Sequence, residues 1–297
     1  MKNKNTGFLI STIAFCAVVL VALPLRTYQF LAGVLEPGTG FFSGEHWSIY
    51  ALYFAVAAGL VISIAAALIY KKELGFDRST EKRPGQGILS LVAAISVLFE
   101  TALSVNSLIG MIAYPEADAP GSPVIVIAAQ CIFGILTAIY FVVFGLSVIS
   151  GSSNASEYKI ISLSPVVWCM FRLVYRFTRT ISFIKVSDLL FELFMLAFML
   201  MFFMAFSQLN SKIESKGLDW KLVGYGLPAA TLALICFVPR FIVLLSGNQE
   251  MLYEYSNVEY CDIGVALFIL SVVFTRIGWT GGNADAKEEA LAKESEE

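Results

Sequence analysis

Residues Ser164–Glu192 read SPVVWCMFRLVYRFTRTISFIKVSDLLFE. Arg172, Arg176, Arg179 and Lys185 are set among large apolar side chains, and Asp188 and Glu192 follow at the head of a long hydrophobic run. The other apolar segments carry few charges. The fold turns on this stretch: the chain spans a membrane eight times if Ile160–Thr180 crosses, and seven times if that segment lies along the inner surface as an amphipathic helix.

The setting is a membrane because the composition leaves no alternative. Of 297 residues, 58% are hydrophobic and 14% charged, against about 25% charged in an average soluble domain. Mean hydropathy is +0.76. Lipid replaces the polar coat that a soluble globule of this size needs. The expected fold is all-α, a polytopic transmembrane helical bundle. Residues 1–280 are expected to form one membrane domain, and residues 281–297 a disordered, acidic, cytoplasmic tail. A net charge of −3 gives no basic bias, so nucleic acid is not an expected partner. The expected surroundings are the lipid bilayer of the inner (plasma) membrane, with both termini cytoplasmic.

Charge-free runs mark the spans. These are Phe8–Leu25, Ser48–Tyr70, Pro123–Ser150 and, with isolated charges, Ile88–Tyr114, Leu189–Leu209, Leu222–Gly247 and Tyr260–Trp279. The first resembles a signal-peptide core, but V-A-L-P-L-R follows in place of a small-residue cleavage site, so it reads as a retained span. Arg26–Trp47 reads as a loop. The distribution of Lys and Arg then weighs the two topologies. With eight spans, 14 lie inside, 3 outside and 3 within spans; with seven, 12 lie inside and 7 outside. Basic residues concentrate on the cytoplasmic side, which favours eight.

Hairpin register agrees. In two antiparallel helices joined by a turn near Ser182, residues whose numbers share one sum lie at one depth. Arg172 with Glu192, and Arg176 with Asp188, satisfy that condition, each pair one helical turn from the next. A charge inside lipid is costly unless paired, and the hairpin offers each arginine a partner. Arg240 is expected to pair with Asp262 or to reach the outer surface. Glu100 falls halfway along its span, with Asn106 and Ser107 further out. These positions suggest a polar pocket open to the outer face and floored by Glu100, lined by Asn106, Arg172, Arg176, Asp188, Glu192, Arg240 and Asp262.

Most site chemistries are excluded or unsupported. His46 is the sole histidine, and no two of Cys16, Cys131, Cys169, Cys236 and Cys261 have metal-ligand spacing, so no metal, cofactor or catalytic residue is expected. Gly-rich phosphate loops, G-x-S-x-G and H-E-x-x-H are absent. The gaps of four, three and six between Arg172, Arg176, Arg179 and Lys185 do not follow the every-third-residue pattern of a voltage sensor. Two function classes remain ahead of a lipid-acting enzyme. One is a transporter or permease for a small anionic or zwitterionic solute, drawn by the arginines and coupled to protons through Glu100. The other is a non-catalytic assembly partner, accessory subunit or sensor, bound to a membrane protein partner, whose ion pairs only fix helix packing.

Overall fold

In the computed structural model, residues 6–36, 42–72, 74–75, 82–113, 124–151, 159–178, 186–211, 217–248, 250, 252 and 258–277 are described. Eight α-helices account for most of them: α1 Thr6–Leu31, α2 Trp47–Ile69, α3 Pro84–Ala113, α4 Val124–Ser150, α5 Ser164–Thr178, α6 Val186–Asn210, α7 Leu218–Leu245 and α8 Tyr260–Ile277. A 3-10 turn, Ile161–Leu163, leads into α5. Six helices, α1 to α4, α6 and α7, are long and apolar enough to cross a membrane; α8 is apolar but shorter. α5 has 15 residues and carries two arginines.

The helices alternate in direction. The start of α1 meets the end of α2, where a Cβ on Gly7 would strike Tyr70. The Arg83 amide, just before α3, donates to Val148 O near the end of α4 at 3.2 Å. Ser162, before α5, lies 2.9 Å from Ser207, near the end of α6. Phe8 of α1 packs on Phe274 of α8 with ring centroids 5.7 Å apart. α5 thus runs alongside α4 and α6 from one end of the bundle toward the other.

α7 is the most buried of the six long helices and packs against α1, α2, α6 and α8. Its small residues permit that: Gly224, Gly226, Ala229, Ala230 and Ala233 are buried. Pro239 removes one backbone donor, so the Ile235 carbonyl loses its partner in the helix ladder. One region of the interior is an aromatic cluster. Phe141 and Phe144 of α4, Phe203 and Phe206 of α6, and Phe268 of α8 are all buried. Phe268 is central, with ring centroids 4.8 Å from Phe141, 5.4 Å from Phe206 and 5.7 Å from Phe144. The Phe191–Phe206 run is thereby packing surface on one side, while Phe194, Met201 and Met204 face outward.

The expected loop at Arg26 is corrected. α1 continues to Leu31 and buries Arg26, which is 2% exposed. Its Nη1 donates to Gln29 Oε1 at 2.8 Å, and its guanidinium lies 4.8 Å from the Phe30 ring centroid. Gln29 Nε2 in turn donates to Ser48 O at 3.0 Å, tying α1 to α2. Gln29 one turn on and the Phe30 ring are enough for the helix to carry its arginine inward, so an end set at the first charge comes too early. His46 caps α2: its side chain accepts from the Ser48 amide at 3.3 Å.

Candidate functional site: a buried charge chain

Three arginines and three carboxylates meet near the start of α8. Arg172 and Arg176 sit four residues apart on α5, one turn apart on one face. Arg172 Nη2 donates to Asp262 Oδ1 at 2.7 Å and also to Glu259 Oε2. Arg176 Nη2 donates to the other Glu259 oxygen, Oε1. Arg176 Nε pairs with Glu192 Oε2 at 3.0 Å, and Arg240 Nη2 with Glu192 Oε1 at 2.7 Å. The result is an alternating chain: Asp262, Arg172, Glu259, Arg176, Glu192, Arg240. Each bridging glutamate uses one oxygen per arginine. The chain links α5, α6, α7 and α8.

Five of the six are buried and Glu259 is partly so. Removing such charges from water costs several kcal/mol per ion and is offset only by close, hydrogen-bonded partners. Alternation provides these partners, since every charge has an opposite neighbour and the six sum to zero. Arg172 also lies over Trp168, with 4.8 Å from its guanidinium carbon to the ring centroid. Its Nη1 is buried with no hydrogen-bond partner among the described residues.

Glu100 approaches the same point from α3. Its Oε2 accepts the Tyr260 amide at 3.1 Å. That amide opens α8 and is one of the donors a helix leaves unsatisfied at its start, where the macrodipole also favours a negative group. Glu100 is the fourth carboxylate here, and among the described residues it has no arginine within ion-pair distance.

Of the residues expected to line a pocket, Glu100, Arg172, Arg176, Glu192, Arg240 and Asp262 are brought together. Asn106 is exposed on α3 and apart from them, and the side chain of Asp188 lies outside the described residues. Two pairings are corrected. Arg172 meets Glu259 and Asp262 rather than Glu192, which goes to Arg176 and Arg240; among the described residues Asp262 pairs with Arg172 and not with Arg240. Two-helix register considers only sequential neighbours, and here a third element, the start of α8, supplies the carboxylates for α5. The levels differ too. Tyr260 is level with Glu100, and α3 runs on from Thr101 to Ala113, about 20 Å of helix. α8 therefore begins deep, and Asp262 lies beside Glu100 instead of above it.

Glu259 is the residue that sequence reasoning placed in an outer loop. Its signal was the spacing to Asp262, which puts two carboxylates on one face of a helix start. Glu259, Cys261 and Asp262 offer ligand atoms within 4.8 Å of one another. Both carboxylates already hold guanidinium groups where a metal would sit, so the arrangement does not fit a cation site.

Helices this apolar, closed around buried charges, define an integral membrane protein in contact with lipid. No protein-family model, curated protein or solved structure matches the chain.

Proposed function

We propose that the protein carries a small anionic or zwitterionic solute across the inner (plasma) membrane through an eight-span domain, with both termini cytoplasmic. One observation supports this reading: a helix begins deep in the bundle, its first amide held by a carboxylate that has no ion pair among the described residues, next to the Arg172 and Arg176 ion pairs of the same helix start. Helix starts at mid-depth, facing charged groups, are how many carriers bind ions inside lipid. Ionisable groups within spans otherwise have little reason to be there. Arginines favour an anionic or zwitterionic solute. Glu100 is the group that exchanges a proton, because its charge is not already consumed by an arginine. The alternating helix directions and the Lys and Arg distribution support eight spans.

Purified protein in liposomes loaded with a pH dye is to be challenged with a panel of carboxylates and amino acids. Solute-dependent proton entry is expected, and Glu100→Gln abolishes it while the protein stays folded. Uptake unchanged in Glu100→Gln removes the coupling role. Single cysteines at Thr180 and Ser256 are to label from outside the cell while one at Ser211 is protected; labelling at Ser211 alone overturns eight spans.

A second reading has its own support. Each of the six charges has an opposite partner and Glu100 caps α8, so the cluster serves as a helix clamp without a solute. The protein then acts as a membrane assembly partner or sensor, and a stoichiometric partner co-purifies with it.

A further inference from the structure

The bonds between helices fall into two kinds. Those that use a backbone atom link α3 to α4, α3 to α8 and α1 to α2. Ser90 Oγ donates to Phe141 O at 2.7 Å, and the Arg83 amide donates to Val148 O. Arg83 Nη1 reaches Thr275 O at 3.5 Å and Glu100 accepts from Tyr260, so α3 holds both ends of α8. Ser11 Oγ donates to Ser63 O at 3.1 Å, and Gln29 to Ser48 O. The closest approaches repeat the division. A Cβ on Gly145 would fall 2.9 Å from Gly87 O, and one on Gly264 would fall 3.3 Å from the Ala93 Cα. α5 joins α4 and α8 through side chains: Trp168 sits against Gly134, Phe171 stacks on Phe133 at 5.4 Å, and Arg172 holds Asp262; it also packs along α6.

Between the groups, contacts are side chain to side chain among the described residues. They include the Phe141, Phe144, Phe203, Phe206 and Phe268 rings, Phe8–Phe274 and Phe237–Tyr260, Ser162–Ser207, Asn210 Nδ2 to Tyr140 OH at 2.6 Å, and Arg176–Glu192. At Gly226 the atoms nearest to an added Cβ are side-chain ends, Phe202 of α6 and Val273 and Ile269 of α8, at 3.0–3.2 Å. Aromatic faces slide over one another at little cost, whereas ion pairs are directional.

We propose that the bundle consists of two bodies, α3–α4–α5–α8 and α1–α2–α6–α7, which move against each other along an aromatic seam latched at its charged end by the Arg176–Glu192 ion pair. Of the ion pairs in the chain of charges, this one alone crosses the seam: Arg172 and Glu259 lie with α8, and Arg240 and Glu192 lie on α7 and α6. The division does not depend on transport, though it would supply a carrier with its moving parts.

Spin-label distances test it in the full-length protein in lipid nanodiscs. Cys16 is the exposed native thiol and is replaced by serine; the other four are buried. Labels at Ile125 and Tyr50 report across the seam, Ile125 with Ile112 within one body, and Tyr50 with Leu245 within the other; all four positions are exposed. The cross-seam distribution is expected to be at least about twice as wide as either internal one. Arg176→Gln adds a population longer by about 5 Å, a one-turn displacement. Arg240→Gln removes an ion pair internal to one body and leaves the cross-seam distribution unchanged. Equal widths overturn the two bodies, and that comparison needs no variant to fold. An unmoved Arg176→Gln, or equal broadening in Arg240→Gln, overturns the latch.

Discussion

The two halves of the interior solve one packing problem with opposite chemistry. Around Phe268, five aromatic rings fill space by shape, with centroid separations from 4.8 to 6.3 Å. Around Glu259, six charges fill it by pairing. Shape tolerates exchange, because another apolar side chain of similar volume keeps most contacts. Pairing does not, because removing one member strands another inside low dielectric. In a bundle surrounded by lipid this contrast sharpens, since apolar residues gain little by leaving the membrane and polar contacts carry more of the specificity.

Substitutions can break that contrast. Arg172→Leu has the largest expected effect, about 3–5 kcal/mol, because Asp262 loses its guanidinium and Glu259 loses one of two. Thermal unfolding in detergent measures it; a loss no greater than that of Phe268→Leu would end the distinction. Arg172→Lys comes next, at about 2 kcal/mol, since one ammonium cannot reproduce a guanidinium bridging two carboxylates while lying over Trp168. Gly264→Val tests a different limit, the α3–α8 approach beside Ser96, and is expected to cost about 1–3 kcal/mol by overpacking. Phe268→Leu follows at under about 1.5 kcal/mol. Arg83→Ala is smallest, at about 0.5–1 kcal/mol, from loss of a long hydrogen bond to Thr275 O and a favourable charge at the end of α8. A chemical-denaturation series over these five ranks them, and an inverted order between Arg172→Lys and Phe268→Leu refutes the comparison.

Much of this was readable from residues. Apolar runs located seven of the helices, because backbone groups in lipid have few other ways to satisfy themselves; α1 runs six residues past the expected end at Leu25, and the α5 segment stayed open between a span and a surface helix. Arg172, Arg176 and Glu192 stood out as charges that needed partners, and they do share a cluster. The partner assignment was not readable, since it depends on which non-sequential helices lie together and at what depth each begins. Glu259 illustrates the limit. In a string of outer-loop acids it looks like Glu250 and Glu254, and only the descent of the chain to the Glu100 level makes it the bridge between two arginines. Arg26 illustrates the other limit: Gln29 and Phe30 supply the contacts that let a span extend past its first charge, and a hydropathy run stops before them.

The deep start of α8 also bears on how the protein is made. Arg172 is synthesised 87 residues before Glu259 and 90 before Asp262. At about 5–20 residues per second, several seconds pass before its carboxylates exist. In the eight-span arrangement α5 therefore waits beside earlier helices or within the insertion machinery, not in open lipid. The final helix completes the fifth, and a chain truncated after α7 is expected to leave α5 unassembled and exposed to membrane proteases.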